Sequence, residues 1–199
     1  MPSLFVGGIA TPILHVSQLA PLLGLDAPAQ LAASRLAWDA AAVLDAWVVL
    51  IRPLDFEALT EPTPSRGRSL RNLTVNVFHP FELLSLAFDD GRFDWDPDRD
   101  ESREVELQDA ADVVRYAADR HFAWQDWLRE REPVLLDRDP EVDSPRGRIT
   151  FGNLLDAQRW HAAFHYRQLT SFLESCGHDL GSAFSLASLV DLELPAEVF

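Results

Sequence analysis

Hydrophobic side chains recur every three or four residues over four long segments of this chain, which is the spacing of one buried helix face. The first segment runs from about Pro28 to Arg52 and stops at Pro53, a residue type that breaks a helix interior. Its predicted buried face is Leu36, Ala40, Val43, Trp47 and Leu50. The third segment runs from about Leu107 to Arg131. The fourth begins at Thr150, a helix-capping residue type, and closes at Gly177, a residue type that ends helices.

The second segment, "SLRNLTVNVFHPFELLSLAF", allows two interpretations. Alternating apolar residues after Asn72 favour a strand, whereas Ser69 is a suitable N-cap and Phe81 to Phe88 has helical spacing. Pro80 cannot donate a hydrogen bond to the carbonyl of Asn76 and is expected to bend a helix there. We predict a kinked helix.

Four helices joined by polar connectors predict an all-α protein, an antiparallel four-helix bundle over residues 28–177. Residues 1–27 form an N-terminal arm, with a short strand and a small helical turn, and residues 178–199 a C-terminal segment that packs on the bundle. Asp89 to Glu106 is interpreted as a solvated acidic loop, because its aspartates do not fit the register of a calcium-binding EF-hand. Glu132 to Arg148 is interpreted as a Pro-rich connector.

Composition narrows the functional classes. The net charge is −15 and all 17 cationic side chains are arginines, so a nucleic-acid partner is not expected. Cys176 is the one cysteine, the N-terminus lacks a basic signal-peptide region, and no apolar run approaches membrane-spanning length. We therefore expect a soluble cytoplasmic protein with a small-molecule substrate and no membrane partner; a homodimer stays open.

The fourth segment carries the candidate chemistry. Gln158, His161, His165 and Gln168 follow one another at helical steps and share a face with apolar residues. Each unpaired buried polar group costs about 1–3 kcal/mol, and a divalent metal ion would satisfy both imidazoles at once. A third ligand has to come from another helix, and His79 in the second segment is the best candidate.

The same residues resemble a known family. "SLRNLTVNVFH" and "TFGNLLDAQRWHAAFHYRQL" are similar to the two motifs of the DinB-like (YfiT-like) metalloprotein superfamily, which includes thiol S-transferases and mycothiol-dependent maleylpyruvate isomerase. The resemblance covers about Pro28 to Gly177 and implies a four-helix bundle with a metal bound by His79, His161 and His165. It departs from the family in lacking the Trp that often opens the second-helix motif, in having Pro80 directly after the ligand and in the additional residues 1–27.

Three imidazoles would leave coordination positions open for chemistry, and either Zn²⁺ or Ni²⁺ suits them. Three functions follow. The first is a thiol-dependent S-transferase or isomerase with a metal-activated thiolate. The chain has no lysine and is rich in Ala, Asp, Arg and Pro, as is typical of proteins from GC-rich genomes, and by analogy with the family this favours mycothiol as the thiol. The second is a metal-dependent hydrolase or lyase that activates water. The third is a non-catalytic bundle that binds a small molecule.

Other polar residues have weaker claims. We predict that Asn76, Gln158 and Gln168 contact substrate or orient the imidazoles. Glu82 is a candidate general base but is better explained as a surface carboxylate, and His121 is a candidate fourth ligand but is better explained as a hydrogen-bonded core histidine. Cys176 is a candidate nucleophile, but a lone cysteine with no positioned base is usually inert. Three arginines are candidate anchors for an anionic thiol cofactor but are better explained as exposed helix residues: Arg71, Arg159 and Arg167.

Overall fold

The computed structural model describes residues 3–6, 9–12, 23–24, 31–64, 66–96, 100–145, 147–181, 183–189 and 191–199. In chain order the elements are β1 (Ser3–Val6), β2 (Ile9–Pro12), α1 (Ala33–Ile51), α2 (Phe56–Thr60), α3 (Leu70–Asp90), α4 (Asp100–Glu104), α5 (Ala110–Asp137), β3 (Glu141–Ser144), β4 (Gly147–Thr150), α6 (Phe151–Ser175) and a 3₁₀ turn (Leu186–Ser188). The chain is mostly helical, which confirms the predicted all-α class.

The core lies where the four long helices meet. Helix α1 packs against α5 and α6, and α3 packs against the same two helices. The largest fully buried hydrophobic side chains of this core are aromatic: Trp47, Trp124, Tyr166, Phe78, Phe81, Phe88 and Phe151. Burial of aromatic and aliphatic faces is the main stabilising contribution to such packing. The face of α6 that packs against α1 and α3 is thus part of this core.

Helix α3 settles the ambiguous second segment in favour of a helix. Ser69 is its N-cap, with the side-chain oxygen accepting the backbone N–H of Asn72 at 3.0 Å. Pro80 lies within the helix, where it has no N–H to donate to the carbonyl of Asn76. Both faces of the segment carry buried side chains, which explains why its apolar positions also resemble a strand.

The ends of α6 agree with the predicted capping residues. Thr150 caps the start by accepting the N–H of Asn153 at 3.4 Å. At the other end Gly177 adopts a φ of 81°, and His178 donates from its backbone N–H to the carbonyl of Leu173 at 3.0 Å. This is the Schellman arrangement, in which a left-handed glycine lets the chain turn back and satisfy the last carbonyls.

The acidic connector is more ordered than predicted, which corrects the solvated-loop interpretation. It contains α4, whose last residue, Glu104, accepts hydrogen bonds from Ser69 Oγ and Arg71 Nε at 3.1 Å and from Asn72 Nδ2 at 2.6 Å. A carboxylate next to the first turn of α3 also interacts favourably with the positive, amino-terminal end of the helix dipole. The connector thus fixes the start of the helix that carries His79.

The second connector contains structure that the pattern did not indicate, and the N-terminal arm contains a pair of strands where one short strand was predicted. Helix α5 continues through Pro133 to Asp137, and β3 and β4 then form an antiparallel hairpin with Val142 opposite Ile149. In the arm, β1 and β2 pair antiparallel, with Ser3 opposite Pro12. The predicted helical turn there, and the first residues of the predicted first helix at 28–30, lie outside the described residues.

No helix in the described parts of the chain has an apolar stretch long enough to cross a membrane.

A buried ion-pair network joins α1 to α6. The Arg159 side chain is only 2% exposed, and its Nη1 lies 3.2 Å from Asp39 Oδ2 on α1. Asp39 also accepts from Arg35 Nε at 2.7 Å, and Asp156 accepts from Arg159 at 2.8 Å. A buried guanidinium needs these partners because its desolvation costs several kcal/mol.

We predict that Asp39→Ala lowers the free energy of unfolding by about 3 kcal/mol, because it leaves Arg159 buried beside an empty position on α1. The double variant Asp39→Ala/Arg159→Met should recover much of that loss. Urea denaturation measures both. Asp126→Ala, which removes an exposed pair with Arg129, is the control and should cost less than about 1 kcal/mol. Equal losses in Asp39→Ala and the control would contradict this role for the network.

Candidate metal site

The inner face of α6 carries a stripe of polar side chains inside an otherwise apolar interface. Gln158, His165 and Gln168 are buried, and His161 is half-buried. The spacing of three or four residues that the sequence shows becomes this stripe because successive turns of the helix place the four side chains one above another. The stripe lies on the helix that packs against both α1 and α3.

The two imidazoles are close neighbours. The ring centres of His161 and His165 are 4.5 Å apart and their planes are nearly perpendicular, at 86°. Two imidazoles that share one ion through metal–nitrogen bonds of about 2.0–2.1 Å have ring centres roughly 4.5–5.5 Å apart. The separation within the pair therefore fits a shared divalent ion.

Asn76 of α3 contacts the first imidazole. Its Oδ1 lies 3.1 Å from Nε2 of His161 and also accepts from Arg68 Nη1 at 3.5 Å. A guanidinium can only donate, so the atom of Asn76 that faces it must be the oxygen. His161 Nε2 then has to carry the hydrogen, which leaves the lone pair of this ring on Nδ1.

Gln168 contacts the second imidazole, with its Oε1 2.7 Å from His165 Nδ1. Burial lowers the pKa of His165 from 6.5 to about 4; the Gln168 hydrogen bond opposes this shift, and the positive charge of Arg68 adds to it. His165 is consequently neutral at neutral pH. Neutral imidazole is the form that binds metal ions, so this residue fits a ligand role.

His79, the third predicted ligand, is buried on α3 one turn after Asn76. Residues three apart share a helix face, so His79 is on the side of α3 that carries the contact with α6. Within the described residues, however, no three His, Cys, Asp or Glu side chains are grouped so that they could hold one ion. The structure thus brings together the α6 pair and Asn76, and the complete triad stays a prediction.

The hydrogen bonds of the two imidazoles determine which ring nitrogens could bind an ion. His165 already has its Nδ1 engaged, which leaves Nε2 for coordination. His161 is bonded through Nε2, so it would either coordinate through Nδ1 or exchange its contact with Asn76 for one with the ion. The pair fits Zn²⁺ or Ni²⁺ by ligand type, and a complete site would need a third ligand besides the pair.

Gln158 lines a cavity of about 70 Å³, and Trp95 of the acidic connector lines the same cavity. Trp95 also packs edge-on against His161, at 5.1 Å between ring centres. Among the described side chains, neither Gln158 Oε1 nor Trp95 Nε1 has a hydrogen-bond partner, although both atoms are buried. The substrate contact of Gln158 stays a prediction; the side chain is buried beside the histidines rather than on the surface.

The remaining candidates have internal or surface roles. Glu82 is 40% exposed and pairs with Arg103 and Arg120, as expected of a surface carboxylate. His121 is a buried core histidine whose pKa is lowered by burial, and Cys176 is exposed. The three arginines considered as cofactor anchors bond within the protein instead, Arg71 to Glu104, Arg159 to Asp39 and Arg167 to the carbonyl of Ala196. For Arg159 the expectation of an exposed side chain is wrong, because the helix face it occupies is covered.

Sequence reasoning missed three groups in or next to the surroundings of the stripe. Arg68 lies in a Pro- and Gly-rich loop, and nothing in its surroundings distinguishes it from other surface arginines. Trp95 was detectable in principle, since a large aromatic residue in an acidic connector needs a place to pack. The carbonyl of Val198 accepts from Gln168 Nε2 at 2.7 Å, and a backbone atom leaves no trace in a sequence.

No protein-family model, curated protein or solved structure matches this chain. The resemblance to the DinB-like superfamily therefore depends on the two histidine-containing segments of the sequence alone.

We predict an acid-sensitive contribution of His165 to stability. Between pH 6.5 and about 4 the unfolded chain binds a proton on this residue that the folded chain does not, so the free energy of unfolding falls as the pH falls through this range. The group accounts for about 3 kcal/mol of that loss. In urea denaturation of metal-free protein, His165→Gln should show a smaller drop than wild type between about pH 7 and pH 4.

His178→Gln, which changes an exposed histidine, is the matched control and should retain the wild-type pH dependence. An unchanged pH dependence in His165→Gln would mean that this imidazole is not held neutral by burial.

Proposed function

We propose that this chain is a metal-dependent enzyme of the DinB-like superfamily, an antiparallel four-helix bundle that binds Zn²⁺ or Ni²⁺ through His79, His161 and His165. The observation that carries the proposal is the α6 pair: two imidazoles one turn apart, 4.5 Å between ring centres, one of them held neutral by burial. A core without a function for these groups would be more stable with apolar side chains of similar size.

The residues around the pair have definable roles under this proposal. Gln168 holds Nδ1 of His165, so that Nε2 is directed to a ligand or substrate. Asn76 holds His161 from α3 and couples any shift of that helix to the orientation of the ring. Trp95 covers one side of His161 and keeps water from that side of the pair.

A divalent ion at this position would supply a Lewis acid that lowers the pKa of a thiol or a water molecule bound to it. We propose a thiol as the partner, because the resemblance is to thiol S-transferases and a mycothiol-dependent isomerase. The reaction class is then formation of a carbon–sulfur bond between the thiolate and an electrophilic carbon of a small molecule. The carbon either loses a leaving group with its bonding electrons or belongs to a double bond whose other atom takes up the thiol proton, and isomerisation of the resulting adduct is the variant of this reaction. A hydrolase or lyase reaction that activates water is the alternative within the same site.

One observation favours a different function, a non-catalytic bundle that binds a small molecule. Both imidazoles already have amide partners, Asn76 for His161 and Gln168 for His165. Groups satisfied in this way require no ion to be stable in the core. The metal measurement below separates the two proposals.

We predict that purified protein contains about one divalent ion per chain and that His165→Ala lowers the affinity for it by about 100-fold or more, because a neutral imidazole ligand is lost. Elemental analysis and competition with a chromophoric chelator measure content and affinity. His178→Ala, which removes an exposed imidazole, should bind like wild type. Full metal content in His165→Ala, or none in wild type after growth and titration with Zn²⁺ and Ni²⁺, would contradict the site.

We also predict that metal-loaded protein consumes a model electrophile only when a low-molecular-weight thiol is present. Product formation followed by mass spectrometry, with mycothiol, glutathione and no thiol as separate arms, measures this. His161→Ala should abolish the thiol-dependent rate, and His178→Ala should not. Turnover that ignores the thiol would favour the hydrolase or lyase, and absence of turnover in a metal-loaded protein would favour the non-catalytic bundle.

A further inference from the structure

The last residues of the chain, 191–199, run along α6 and are held by its side chains through backbone carbonyls. Trp160 Nε1 donates to the carbonyl of Glu193 at 2.9 Å, and Arg167 Nη2 donates to the carbonyl of Ala196 at 2.6 Å. Further along both segments, Gln168 Nε2 donates to the carbonyl of Val198 at 2.7 Å. The contacts advance in the same direction along helix and tail. The acceptors are all carbonyls, so these bonds do not depend on which side chains the tail carries.

The last of these contacts reaches the candidate site. A backbone carbonyl can only accept, so the Gln168 amide must direct its nitrogen to Val198 and its oxygen to the other side. That oxygen lies 2.7 Å from Nδ1 of His165 and can itself only accept. The ring nitrogen facing it must therefore carry the hydrogen. The carbonyl of Val198 thus determines, through one amide, which nitrogen of His165 keeps its lone pair.

We infer that the carboxy-terminal segment is a positioning element for His165: through Gln168 it holds the ring as the Nδ1–H tautomer and leaves Nε2 as the basic nitrogen. Gln168 and Val198 are positioning residues, since both act on any ligand through the imidazole. The consequence for metal binding rests on the proposed function, whereas the tautomer itself does not. Groups that orient a ligating histidine from its far nitrogen typically change metal affinity by about 10–100-fold.

The test reads the tautomer directly, in metal-free full-length protein with ¹⁵N-labelled histidine at about pH 8, where His165 is neutral. Two-bond ¹H–¹⁵N correlation spectra distinguish the two tautomers of each ring, and the His165→Gln spectrum assigns the signal. Wild type should show the Nδ1–H form. Removal of residues 196–199 should convert a large part of the signal to the Nε2–H form. Val198→Ala, which keeps the carbonyl, should match wild type.

An Nε2–H form in wild type, or a truncated chain that keeps the wild-type tautomer, would overturn the inference. Gln168→Met gives a second route that leaves the tail in place, and it should shift the tautomer in the same direction; an unchanged tautomer in this variant would overturn the inference as well. Circular dichroism of each variant shows that it is folded.

A Zn²⁺ competition assay separates this inference from the proposed function. If both hold, the truncated chain binds Zn²⁺ about 10–100-fold more weakly than Val198→Ala. Equal Zn²⁺ affinity together with a changed tautomer would contradict the metal site and support the positioning role.

Discussion

An imidazole inside a protein needs a hydrogen-bond acceptor for its N–H and a donor or metal ion for its lone pair. This requirement connects the inner face of α6 to α3, to the loop before α3 and to the carboxy-terminal segment. His161 is met by Asn76 of α3, which is in turn contacted by Arg68 of the preceding loop. His165 is met by Gln168, which is held by the carboxy-terminal segment. Each unpaired member of this set would cost about 1–3 kcal/mol, so the stripe constrains how α3, the loop and the tail sit on α6.

The arrangement around the stripe makes this constraint rigid. Arg159, on the same helix, is buried and paired with Asp39 of α1. Glu104 of α4 fixes the first turn of α3 through three hydrogen bonds, and α3 is the helix that carries both Asn76 and His79. The elements that position the candidate ligands are thus tied down by charged groups at their ends, while the aromatic core holds them together in the middle.

Features that depend on neighbouring residues, such as helix ends, could be predicted from the sequence. Contacts between residues far apart in the chain could not. Ser69 as an N-cap and Gly177 as a helix end act on residues three or four positions away, so both could be read from the chain and both are found. The pairing of Arg159 with Asp39 joins helices far apart in sequence, and a single arginine at a helical position looks like a surface residue. The hairpin after α5 follows a proline inside a helix, where the pattern indicated a connector. In the site, helical spacing brought His161 and His165 together, whereas the tail carbonyl on Gln168 has no sequence signature.

We propose that His161 and His165 of the α6 stripe, together with His79 of α3, form a ligand set for one divalent ion rather than only a satisfied part of the core. X-ray absorption at the metal edge of Zn²⁺- or Ni²⁺-loaded full-length protein tests it most directly, because imidazole rings give a characteristic multiple-scattering pattern. We expect about three imidazole nitrogens at roughly 2.0–2.1 Å from Zn²⁺. A spectrum with oxygen ligands alone, or with one imidazole, would contradict it.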